Sequence, residues 1–395
     1  MRVLFLQRQP CIRALKIAAG LRSTRGPLHL SFAYQGRTLS AWYGAGDELF
    51  DEWIDLGRAA EPRRALARAI DRARPDLIHC HNLPDVLTVL ALEAVGALLP
   101  VVHDAHDLQS LRSTPYNDGF PEPARPDELE RLAVEGCAAL VTVSDEVVAA
   151  IAARHRLPER VVIFPNYALA ADLSQPREEP REQGPVRLVY QGSLGTDGGH
   201  YDLRDIFTEI AATGLPLDVH PARPAPDYEA LARSWPGLVV HAPLPPAALL
   251  ATLPRYDLGW AGFNDTLNRA HIDTALPNKA FEYLASGLPL VTLRHRALVR
   301  LIEEEGVGIS VERPADLPAR LEDTDLAELR RTVLAARDRF TVEGAIGRIR
   351  ALYRDLTGTR VRAGRQPAEL TRPRARSGAP ATRSLPPPSA GRRRS

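Results

Sequence analysis

Between Asp273 and Pro289 the chain reads DTALPNKAFEYLASGLP, and this stretch holds one of only two lysines in 395 residues. Every other basic side chain but Lys16 is an arginine. Pro277 suits the first turn of a helix, where its missing N–H costs nothing. Asn278 and Lys279 then stand near the positive end of the helix dipole, where an anion such as a diphosphate is favoured. Glu282 follows one turn later on the same side, within reach of a neighbouring hydroxyl-bearing group. A cation, an amide and a carboxylate at a helix start suit a nucleotide diphosphate. The plainer reading is a capped surface helix with a solvated glutamate.

A second group is made of histidines. His79, His81, His103 and His106 fall at or just after the ends of two expected strands, beside Asp104 and Asp107. Strand alternation puts His79 and His81 on one face. A metal site is one reading, but the set lacks an established ligand spacing. A core histidine bonded to backbone is the other reading for His79. His106 and Asp107 lie in the loop after a strand, where catalytic and substrate-orienting groups collect.

The elements that must position these groups alternate from the start. Strands are expected at Val3–Leu6, Leu28–Tyr34, Leu77–His81, Pro100–His103, Ala138–Val143 and Val161–Phe164. Helices fall between them at Ile12–Leu21, Arg63–Ala73, Pro84–Leu92, Pro126–Gly136 and Asp145–Arg154. A polar, proline-bearing linker follows. A second series then has strands at Val186–Tyr190, Leu217–His220, Leu238–His241, Leu258–Gly262 and Leu290–Leu293, with a helix at Leu203–Ala212 and closing helices at Ala327–Arg339 and Val342–Leu356. Such alternation predicts α/β architecture: two doubly wound, Rossmann-like domains facing a central cleft, with ligands at the carboxyl ends of parallel strands. The expected boundaries are 1–168 for the first domain, 169–185 for the linker, 186–338 for the second domain, 339–357 for a closing helix and 358–395 for a disordered, Arg- and Pro-rich tail.

Charge is unevenly spread. The tail from Gly358 holds ten Arg and one Glu, while the remainder has 40 basic and 48 acidic residues. The body is therefore mildly acidic, which argues against a nucleic-acid partner. Cys11, Cys80 and Cys137 are odd in number and widely spaced, as expected of a reducing compartment rather than a disulfide or zinc framework. The first residues read as a strand and not a secretory signal, and no apolar run reaches membrane-spanning length. A cytoplasmic location is the expectation, with the tail either drawn to an anionic membrane at the inner face or simply untethered.

Several stretches in order resemble the nucleotide-sugar-dependent glycosyltransferases of the GT-B fold, nearest to glycosyltransferase family 4. They are Ile12–Ala18, Asp76–Asn82, Pro100–Asp107, Val141–Asp145 with Val161–Tyr167, and Leu276–Leu290. The resemblance runs from Met1 to about Leu356. It implies sugar transfer from a nucleotide-sugar donor to a glycan or lipid-linked acceptor, with retention at the anomeric carbon. No cofactor or metal is implied, since the nucleotide sugar is itself the substrate. Carried over, Glu282 becomes the carboxylate for the ribose hydroxyls, His106 the group beside the donor sugar, and Gly192-Ser193 the loop after the first strand of the second domain. Asn278 and Arg204 join them as donor-binding candidates, and Lys279 is both donor-binding and catalytic. There are departures from the pattern. Thr274 stands where the family often has a first glutamate, and the loop after Gly192 lacks the usual Arg and Lys. Lys279, Arg204, His200 and Arg269 remain as candidate cations. Two other readings stay open: a non-catalytic binding subunit, and a sugar-nucleotide epimerase, which shares the fold.

Overall fold

Strand β1 (Arg2–Gln7) is a nearly unbroken apolar run, and all its residues from Val3 onward are buried. That is the signature of a parallel strand covered on both faces. A computed structural model of the chain describes residues 1–57, 62–82, 85–115, 124–177 and 184–362. In it β1 is central to a seven-stranded sheet with β2 (His29–Tyr34), β3 (Glu52–Asp55), β4 (Leu77–His81), β5 (Val101–Ala105), β6 (Ala139–Thr142) and β7 (Val161–Ile163), in the order β3-β2-β1-β4-β5-β6-β7. Every pairing is parallel. A second, six-stranded parallel sheet has the order β10-β9-β8-β11-β12-β13. Its strands are β8 (Leu188–Gly192), β9 (Leu217–Pro221), β10 (Leu238–Val240), β11 (Leu258–Trp260), β12 (Leu290–Leu293) and β13 (Gly308–Val311). Each sheet reverses its order beside its first strand, and the crevice at that point is where α/β folds bind ligands.

The helices follow from local chemistry. Pro62–Ala73 buries Ala65, Leu66, Ala69 and Ala73 on one face and leaves its arginines outward. Ser144 caps Asp145–Ala152, its hydroxyl accepting from Val147 N at 3.1 Å. Arg296–Glu305 ends at Gly306, whose φ of 64° is the left-handed turn glycine permits. Helix Gly347–Arg362 returns to the first sheet, where Ile349, Leu352 and Tyr353 enter the core. Gly20 makes room for that return, since a Cβ there would lie 2.4 Å from Val342 Cγ1.

Several expectations need amendment. Pro277 is the extended cap residue (ψ 154°), and the helix starts at Asn278. β3 and β13, both edge strands, were invisible to apolar-run reading because β3 is half acidic and the run of β13 is interrupted by Gly308 and Ser310. The expected Val342–Leu356 helix is broken into Val342–Ala345 and Gly347–Arg362, and the second piece runs beyond the expected end at 357. Pro84, the expected start of a helix, part of the linker (178–183) and the tail from 363 lie outside the described residues. Among the described residues no helix is long and apolar enough to cross a membrane.

Candidate functional site

The carboxyl ends of β1, β4 and β5 converge on a buried ion-pair core. Arg13, from the first turn of the Ile12–Ser23 helix, places Nε 2.9 and 3.0 Å from the two oxygens of Asp104. Burial would raise the Asp104 carboxyl, but Arg13, His106 and His79 together hold it well below the usual carboxylate range. His79 and His81 stack at 4.4 Å between centroids, and the Tyr353 hydroxyl bonds His79 Nδ1. Ligand atoms of His79, His81 and Asp104 come within 4.8 Å of one another. A guanidinium already occupies both Asp104 oxygens, so this cluster is built around an organic cation and a metal would meet that charge at close range.

His106 lies just past this core. Its Nδ1 is 3.2 Å from Asp104 Oδ1 and its Nε2 is 3.9 Å from Cys11 Sγ. Asn82 fixes the loop, accepting at Oδ1 from the backbone N–H of His106 (3.2 Å) and of Asp107 (3.4 Å). Burial disfavours the imidazolium, yet Cys11 and Asp104 outweigh it and push His106 up to about 10. Its contacts with Cys11 and Asp104 therefore favour the charged imidazolium.

The second sheet contributes the opposite wall. Lys279 is buried, with Nζ 4.1 Å from the Tyr190 ring centroid and 4.8 Å from that of Phe263. Its ammonium has no hydrogen-bond partner among the described residues. Burial, only partly opposed by Glu282, brings Lys279 down to about 7. The loop after β8 lies over it: Gly192 has φ 131°, open to glycine, and a Cβ there would sit 3.8 Å from Lys279 Nζ. The Tyr190 hydroxyl pins that loop by donating to Ser193 O at 2.6 Å.

Glu282 is more committed than expected. Lys16 Nζ, from the first sheet's helix, bonds Asn278 Oδ1 at 2.8 Å and Glu282 Oε1 at 3.0 Å. Gln191 Nε2 donates to Glu282 Oε2 at 2.7 Å. Lys279 points away from Asn278, because one residue along a helix is a turn of about 100°, while Glu282, three residues on, still acts on its charge. The two lysines divide the work, one on each side of the helix start.

The other candidate cations are spent. Arg204 is held bidentately by Asp202 at 2.9 and 2.7 Å. Arg269 bonds Asp265 and Asp273. Burial and the nearby His271 lower His200 to about 4, which leaves it neutral. Thr274 is buried and donates its hydroxyl to His271 O at 2.8 Å, so no acidic group replaces the missing glutamate at that position. The structure brings Gly192, Ser193, Asn278, Lys279 and Glu282 together from the second sheet. Asp107, next to His106, approaches the same half through His271 Nε2 at 3.6 Å. Sequence reasoning passed over Arg13, Lys16 and Gln191. The scarcity of lysine was a usable signal for Lys16; nothing local marked the others. A 330 Å³ cavity also lies between the halves, lined among others by Ser144, Leu276, Arg300 and Phe340, and none of the candidate donor residues lines it.

Residues 18–167 match the family described as glycosyl transferase 4-like domain. No curated protein sequence matches the chain. Among solved structures, sucrose-phosphate synthase from Thermosynechococcus elongatus is similar with a TM-score of 0.66 at 12% identity, over 90% of this chain and 99% of that one. Anabaena HepE in complex with UDP is similar with a TM-score of 0.65 at 14% identity, over 90% and 100%. A putative UDP-N-acetylglucosamine 2-epimerase from Listeria monocytogenes reaches 0.58 at 15% identity, over 90% and 96%. These findings agree with the resemblance drawn from the sequence: the two parallel sheets form an α/β fold matching that of GT-B glycosyltransferases, and the family match covers residues 18–167.

Proposed function

We propose that the chain transfers a sugar from a nucleotide-sugar donor to a glycan or lipid-linked acceptor, with retention and without a metal. The observation that carries this reading is Lys279, a buried ammonium without a hydrogen-bond partner among the described residues, at a helix start beneath the Gly192-Ser193 loop. A buried cation of this kind is costly unless an anion completes it. A diphosphate there would be met by Lys279 and the helix N–H groups, which can stabilise the charge that grows on a departing nucleoside diphosphate. Glu282 and Asn278 would take the ribose, and His106 would present its positive charge to the donor sugar. The family match and the UDP-bound structure of HepE support a uridine nucleotide as the first donor to try. A cytoplasmic enzyme held weakly to an anionic leaflet by its Arg-rich tail would suit a lipid-linked acceptor.

A second reading, a non-catalytic binding subunit, is favoured by Thr274 and by the engagement of both Glu282 oxygens. Incubation with a panel of nucleotide sugars decides between them. Transfer or slow hydrolysis, with release of the nucleoside diphosphate, is the expected result. Interconversion of the sugar without transfer to an acceptor or water would make the protein an epimerase; tight binding without turnover would make it a subunit. Lys279→Met should then lower kcat more than it raises KM.

A further inference from the structure

Cys11 is the half-buried residue that caps the twelve-residue Ile12–Ser23 helix, and its thiol is not isolated. Asp104, His106 and Cys11 form a line: carboxylate to Nδ1 at 3.2 Å, then Nε2 to Sγ at 3.9 Å. Arg13 fixes the far end by holding both Asp104 oxygens. An imidazolium anchored by a carboxylate and set beside a sulfur at a helix start is the arrangement that makes a thiol ionise and attack. We propose that Cys11 is a nucleophilic thiolate and a site of covalent modification by hydroperoxides and other soft electrophiles, and that its modification blocks the donor cleft. The reactivity stands on the geometry of the three residues; the block rests also on reading this cleft as the donor site.

The surroundings agree. Burial would raise the thiol, but the charge of His106 together with hydrogen bonds from His106, Ala14 and Gln7 brings Cys11 below its ordinary value. The other titratable groups against it are Asp104, one residue further along the relay, and Tyr43, which burial and Cys11 itself push up to about 12. Cys137 and Cys80 provide the contrast. Both are buried, and burial raises Cys137 to about 12 and Cys80 further still. With a hydroperoxide, Sγ attacks the terminal oxygen. The S–O bond forms as the O–O bond breaks, and two electrons pass from sulfur to the peroxide. The departing alkoxide takes its proton from His106 Nε2, leaving a sulfenic acid and an alcohol.

The test is the pH profile of alkylation of the full chain by iodoacetamide, read at each cysteine by peptide mass. Cys11 should react at pH 6 at least tenfold faster than an unstructured cysteine peptide, while Cys80 and Cys137 stay unlabelled. His106→Gln should shift the Cys11 profile up to the ordinary thiol range or above it, since burial is then opposed by less. A wild-type profile that rises only as an ordinary thiol ionises would overturn the proposal, and this reading does not depend on any variant folding. Treatment with cumene hydroperoxide should then abolish UDP binding in step with sulfenic acid formation, and Cys11→Ser should keep its UDP binding under the same treatment. Fast labelling with UDP binding intact would overturn the block. Absence of UDP binding before treatment would instead count against the donor-site reading and leave the thiolate standing.

Discussion

Lysine at 279 is a choice about charge, in a chain whose other basic side chains, but for Lys16, are arginines. An arginine keeps its proton in any protein environment, whereas a buried lysine gives its proton up near neutrality. With the free protein's Lys279 near 7, the group is cationic below that pH and increasingly neutral above it. A bound diphosphate favours the ammonium and so raises its pKa in the complex. Between the two values, binding must take up a proton, and affinity must fall as pH rises. His106, pushed to about 10, stays charged across this window and adds no slope. UDP-glucose is a suitable probe because its diphosphate diester has no proton to exchange near neutral pH. Calorimetry at pH 8 in buffers of different ionisation enthalpy should show proton uptake, which shrinks at pH 6 and disappears in Lys279→Met. Equal uptake in the variant would place the proton elsewhere.

The helix Asn278–Ala285 depends on a partner that no pattern in its own sequence reveals. Tyr283 lays its ring across β11 at Gly259, where an added Cβ would meet the ring at 2.3 Å. From there its hydroxyl oxygen accepts from the Gln191 backbone N–H at 2.8 Å, and the Gln191 side chain in turn orients Glu282. Gly259→Ala should therefore push the helix outward. An overpacking cost of about 1–3 kcal/mol is expected, together with a drop in UDP affinity, since Lys279 and Glu282 move with the helix. Thermal unfolding and titration of the same sample check it; a loss of stability with affinity preserved would show that the ring adjusts alone. This dependence explains what the sequence could convey. The βα alternation, the helix start at Pro277-Asn278 and the loop position of His106 are local signals, written in apolar runs and turn residues. The bond between Glu282 and Lys16 spans 266 positions, and that between His79 and Tyr353 spans 274. Such pairings are set by how the two sheets meet, so composition and spacing cannot announce them. β3 and β13 were missed for a local reason: two acidic residues in β3, and Gly308 with Ser310 in β13, break the apolar run.

Among the described residues the two sheets are tied across the cleft by side-chain bonds and by packing such as Tyr167 against Phe281. Ser144 Oγ donates to Thr274 O at 2.8 Å, Asn166 Nδ2 to Leu276 O at 2.9 Å, and Asn268 Oδ1 accepts from Ser113 N at 3.0 Å. Charged ties are added by Lys16 to Asn278 and Glu282, and by Arg300 to Asp145 and Glu146. The main chain crosses separately, through the Ala168–Thr341 bridge and the return of Gly347–Arg362 to the first sheet. Domain closure commonly turns on a few chain crossings of this kind, so the two sheets are expected to open and close about them. The Lys16–Glu282 pair is partly exposed on the carboxylate side and is worth about 1 kcal/mol. Removing it should raise the open population roughly fivefold. Lys16→Met is accordingly expected to unfold within about 2 °C of the parent, because it leaves the cores untouched. Its radius of gyration in solution scattering should nonetheless exceed the parent's without nucleotide, and converge on it once saturating UDP-glucose rebuilds contacts across the cleft. Identical scattering curves for parent and variant in the free state would mean that the remaining ties hold the two sheets together, and that Lys16 serves the donor site rather than its closure.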